Sequence, residues 1–129
     1  MVAPDMATML VYIFTDAQAS RPALQGLLSG HTDQTFNNIT VDSDTSTSDT
    51  LLLAATGASG VNVDGNAAFA AALHQVMLDL AHQVVRDGEG ATKVVEVQVA
   101  GAATGADART PAMAMANAPL LQPALTGEE

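Results

Sequence analysis

The stretch from Ala67 to Arg86 constrains the fold most. Phe69, Leu73, Val76, Leu80 and Val84 recur there at steps of three and four, which makes one apolar stripe on a helix. Asn66 is a natural N-cap, Arg86 suits the negative end of the helix dipole, and Gly88 ends the helix. A stripe of this kind has to be buried against other elements. The apolar runs at 8–15 (TMLVYIFT), 35–41 (TFNNITV) and 51–55 (LLLAA) each read as a strand. The run at 92–99 (TKVVEVQV) alternates, with Val95, Val97 and Val99 on one face and Glu96 and Gln98 on the other, the pattern of a half-buried strand. A short helix with Pro22 in its first turn is expected over 21–28, and a weaker one from about Asp107 to Asn117. Gly57, Gly60 and Gly65 punctuate a loop. The order is β-α-β-β-α-β-α, an α/β or α+β pattern.

Composition narrows the function. With 14 acidic and four basic side chains the net charge is −10, which argues against a nucleic-acid surface or docking on anionic lipid. A hydrophobic share of 48% excludes a disordered chain, yet aromatics are only 3% and much of the rest is Ala, so the core is thin. The absence of Cys excludes disulfides, thiolate catalysis and Cys-ligated zinc. No apolar run approaches the roughly 20 residues of a membrane span, and the first residues lack a basic leader. The expectation is a soluble, cytoplasmic protein.

Several constellations could carry chemistry. In DSDTST, Asp42 and Asp44 follow an apolar strand end, the order of nucleophile and acid/base in dehalogenase-type phosphatases. That chemistry also needs a Lys, for which only Lys93 is available, and a later carboxylate pair on Mg²⁺ that does not follow. The same run reads more simply as a polar turn with side chains bonding the backbone, and it lacks the Gly and Glu spacing of a calcium loop. His74 and His82 stand eight apart on the long helix, too far for shared metal ligation, and His31 lies elsewhere. In RDGEGATK, two glycines flank Glu89 between a helix end and a strand. This is either a plain turn or an exposed loop tip where a carboxylate meets a substrate amine. Thr8 opens a strand. It becomes a nucleophile if the Ala7–Thr8 bond is cut, because the freed α-amine can then serve as base for its hydroxyl.

The segments MVAPDMATML with TDA close behind, TFNNITVDSDTSTSDTLLLAATG, VVRDGEGATKVVEVQVAGA and ANAPLL…TGEE resemble the ornithine acetyltransferase family, the glutamate N-acetyltransferases of arginine biosynthesis. They occur in family order and spacing from Met1 to the last residue. The resemblance implies a layered α/β sandwich superficially like N-terminal-nucleophile hydrolases. It implies a precursor that cuts itself between Ala7 and Thr8, making residues 1–7 the end of an α-chain segment and 8–129 the first part of a β chain. Thr8 would accept acetyl from N-acetylornithine and pass it to glutamate, with acetyl-CoA a donor in some members and no other cofactor. Glu89 matches the family's substrate-contacting Glu. The family continues upstream, with an oxyanion-hole pair and a substrate-binding Lys, and downstream through an Asn-Trp-Gly segment. Its α and β chains assemble as a hetero-oligomer. Ser43 stands where Gly is usual, Ser48 where Asn is usual, and Gln122 where Lys is usual. The expectation is a fragment inactive by itself, with a non-catalytic subunit or gene remnant as the alternative and the phosphatase as a distant one.

Overall fold

β1 (Leu10–Thr15) and β2 (Thr50–Ala55) pair in parallel, with Leu10 beside Thr50 and Thr15 beside Ala55. Both are rich in residues that suit a pleated, buried surface. The computed structural model describes residues 9–41, 48–88 and 92–118. Parallel strands need a long crossover. It contains α1 (Arg21–Thr32), followed by a 3-10 turn at Phe36–Asn38. α2 (Ala67–Arg86) and α3 (Gly105–Ala116) complete the order. A mixed α/β architecture is thus present, as expected.

Local chemistry explains the helix boundaries. Ser20 caps α1 through a hydrogen bond accepted from the Ala23 amide, and Pro22 sits where its missing N–H costs nothing. The Asn66 side chain accepts from the amides of Ala68 and Phe69 at the start of α2. Gly57 and Gly60 take positive φ in the turn after β2, closed by a bond from the Gly60 amide to the Gly57 carbonyl. Beyond the strands, Gln18 and Asn62 still pair as an isolated parallel bridge.

The core lies between one sheet face and α2. Val11, Phe36, Leu73, Met77 and Ala81 are its buried members, and Ile13, Leu51, Leu53, Leu80 and Val84 pack around them. α1 packs on β2 and α2, and the 3-10 turn packs on α2. The inward face of α2 is rotated from the expected stripe. Met77 and Ala81 are fully buried, whereas Val76 is 45% exposed. The small Ala81 counts as much as a large residue here because it lets a neighbour approach closely.

Two expected strands are not present. Residues 35–41 form a 3-10 turn and an irregular continuation in place of a strand. The hydroxyl of the buried Thr35 donates to the His31 carbonyl, and the Asn38 amide to the Thr35 carbonyl, so this stretch prolongs the end of α1. Residues 92–99 also form no strand, and Val94 and Val95 are 57% and 51% exposed. A strand exists only with a ladder partner, and none of the described residues provides one. The expected second and fourth strands are therefore replaced by a turn and an extended segment. α3 is present, one turn or less from its expected bounds. Arg109 ties it to the 3-10 turn, donating from Nε to Asn38 Oδ1 at 2.7 Å and from its other nitrogen to the Asn37 carbonyl.

Met77→Ala should destabilise the chain by about 2–5 kcal/mol, since nothing can refill a fully buried site, and Asn66→Ala by about 1 kcal/mol. Chemical denaturation of both variants checks the order. Arg109→Ala should weaken the docking of α3 by about 1 kcal/mol and raise thermolysin cleavage within 105–116 roughly fivefold, with unchanged cleavage counting against the tie.

Candidate functional site

The candidate site is the end of the sheet at which both strands begin. Because β1 and β2 are parallel, their first residues lie side by side. Thr8 is one peptide bond before Met9, and the acidic run 42–47 leads to Ser48 and Asp49 immediately before β2. Ala7, Thr8, Asp42, Asp44 and Glu89 themselves lie outside the described residues. Their described neighbours are Met9, Asp49 and Gly88.

Met9 is held from both sides of its peptide group. Its amide donates to Asp49 Oδ1 at 3.0 Å, and its carbonyl accepts from the Thr50 amide at 2.8 Å. The first bond comes from a side chain and the second from the backbone ladder. Met9 is half-buried and packs against the core. The residue after the candidate nucleophile is therefore anchored to β2 and to the hydrophobic cluster. Asp49 ends the polar stretch that begins at Asp42, and sequence reading gave it no role of its own. Its position directly before β2 was the available signal, but which strand lay opposite could not be known.

At the other candidate position, α2 ends cleanly. The Asp87 amide donates to the Gln83 carbonyl at 2.9 Å, and the Gly88 amide to the Val85 carbonyl at 3.4 Å. Glu89 follows this terminated helix directly. Lys93 is exposed.

The histidines sort differently from their spacing. His74 meets His31, with ring centroids 5.1 Å apart and planes tilted by 59°. His82 is exposed on α2. His31 and His74 line an open groove of about 460 Å³ between α1 and α2, together with Gly26, Leu27, Gly30, Gln34, Ala70 and Ala71. His74 Nδ1 is buried there without a hydrogen-bond partner. Among the described residues, no group of three or more His, Asp or Glu is arranged to hold a metal ion. No helix among them is long and apolar enough to cross a membrane.

Comparison with known proteins gives the family. The chain is 69% identical over 129 residues to the arginine biosynthesis bifunctional protein ArgJ of Ruegeria pomeroyi, an alignment that takes in all of this chain and 32% of that protein. It is 54% identical over 138 residues to the protein of the same name from Nitrobacter winogradskyi, spanning 33% of it. The crystal structure of the Bacillus halodurans arginine biosynthesis bifunctional protein superposes with a TM-score of 0.83 at 41% identity, covering 92% of this chain and 58% of that one. The chain thus spans about a third of the length of the curated relatives it matches. Since the model of the ArgJ family matches residues 1–129, the chain belongs to the ArgJ family.

Proposed function

We propose that this chain is the self-cleaving segment and first part of the β chain of an acetyltransferase that moves acetyl from N-acetylornithine to glutamate. The observation that carries the reading is the family match over 1–129, a range that includes the MATML and GEG motifs. In the first step Thr8 Oγ attacks the Ala7 carbonyl carbon. The Ala7–Thr8 amide becomes an ester as the nitrogen leaves with the hydroxyl proton, and water then splits the ester. The freed Thr8 amine takes the hydroxyl proton in each later turnover. Oγ attacks the acetyl carbonyl of N-acetylornithine, ornithine departs with its amine protonated, and acetyl stays as an ester on Thr8. The glutamate amine then attacks that ester and regenerates the hydroxyl. Glu89 pairs with the substrate's amino group. No cofactor enters this scheme, and acetyl-CoA serves as an alternative donor. The cytoplasm is the compartment that belongs to this reading.

The oxyanion donors and much of the substrate pocket come from the remaining two thirds of a family-length protein, including its α chain. One physical feature supports this need for a partner. Leu10, Tyr12 and Phe14 are 56%, 52% and 71% exposed on the sheet face opposite the core, and Leu52 is exposed beside them. Parallel sheets are ordinarily covered on both faces. A non-catalytic subunit would expose the same face, so activity separates the two readings.

The 129-residue chain alone should associate in size-exclusion chromatography and show no acetyl transfer from N-acetylornithine to glutamate. A chimera in which it replaces the matched third of the Ruegeria pomeroyi protein should be cut at Ala7–Thr8 and should turn over. Thr8→Ala in that chimera should abolish cleavage and lower turnover by at least about 10³-fold. Turnover that survives Thr8→Ala would overturn the reading.

A further inference from the structure

We infer that Asp49 is a positioning residue for Thr8, acting as a side-chain clamp on the amide that follows it. The inference rests on the proposal that Thr8 is the nucleophile. The role asks for no contact with Thr8 Oγ or with substrate. Asp49 acts through the Met9 backbone.

In a parallel pair, evenly spaced backbone bonds hold each strand, and the outermost residue of a strand is the one held least. Met9 lies one residue beyond that end of β1, where the ladder holds less still. Its carbonyl takes the last backbone rung from Thr50, at 2.8 Å, and its amide has passed beyond the named ladder. The Asp49 carboxylate takes that amide at 3.0 Å, across 40 residues of sequence. With both groups of Met9 held, rotation about the Thr8–Met9 junction is limited to the torsions of Thr8 itself. Those torsions set where the hydroxyl and the α-amine stand. A nucleophile that has to meet first its own preceding carbonyl and then a bound acetyl group depends on such placement. An error of about 1 Å can cost on the order of 10²-fold in rate.

Elsewhere, an equivalent bond provides a structural control. The Ser20 amide donates to Asp64 Oδ1, also at 3.0 Å and also exposed, beyond the opposite end of β1. Asp64→Ala removes the same kind of hydrogen bond, from a carboxylate to a backbone amide, at a point remote from Thr8. Any effect of Asp49→Ala that came only from loosening the fold would therefore recur in Asp64→Ala.

The test uses the chimera described above, with Thr8→Ala as the check on the underlying reading. Asp49→Ala should slow Ala7–Thr8 cleavage, followed by mass spectrometry, and lower kcat about tenfold or more, with KM within about twofold. Asp49→Asn keeps an acceptor oxygen at the same place and should stay within about threefold of the parent rates. Asp49→Glu keeps the charge but displaces the acceptor by one methylene, and should be the slower of these two conservative variants. Asp64→Ala should leave both rates within about twofold. Parent rates in Asp49→Ala would overturn the clamp, as would equal losses in Asp49→Ala and Asp64→Ala. If Asp49→Ala does not fold, the two conservative variants decide. A fast Asp49→Asn with a slow Asp49→Glu supports the clamp, and any other order overturns it. Should Thr8→Ala retain turnover, the nucleophile reading fails first, and the clamp fails with it.

Discussion

Two strands that lie parallel cannot be joined by a tight turn, and the rest of this structure follows from that constraint. The whole span from Thr15 to Thr50 is connection. It holds α1 and the 3-10 turn, and both pack on α2, which lies against the inner sheet face. The same constraint puts the beginnings of β1 and β2 side by side. That is why a residue just before β2 can hold the amide of a residue just before β1.

The thin core has a consequence for the outer sheet face. Only seven hydrophobic residues are buried in the described structure, two of them alanine. The strands LVYIFT and TLLLAA are nevertheless apolar on both faces, as strands are when a sheet is covered on both sides. Tyr12 and Phe14 are exposed on the face away from the cover that the described residues provide. This excess of apolar surface agrees with a chain that spans a third of its relatives. It also agrees with the exposed, alternating Val94–Val99 region, whose pattern prescribes a strand that has no partner among the described residues.

The two misread strands failed for different reasons. At 35–41, β-branched and aromatic residues favoured a strand, but the Thr35 hydroxyl found the His31 carbonyl one turn back and Phe36 found the core. Local capping and burial overrode propensity. At 92–99 the residues alternate as a half-buried strand would, but pairing is a property of two segments, and no described residue pairs with this one. The stripe on α2 was displaced for a related reason. Counting large residues selected Val76, whereas close packing selected Met77 and Ala81, because a small side chain at a contact is as informative as a large one.

The sequence by itself determined the helices, the two strands, the cap at Asn66, and membership of the family. Through the family resemblance it also marked Ala7, Thr8 and Glu89 as the candidates for the chemistry. These follow from neighbours within about four positions, or from motifs read in order, and need no knowledge of distant contacts. Only the tertiary structure decided that Asp49 meets Met9, that His31 meets His74, and which face of α2 turns inward. Each of these joins segments separated by a closed loop. Which loops close is settled by the burial of the whole core, so it cannot be read from any one stretch of the chain.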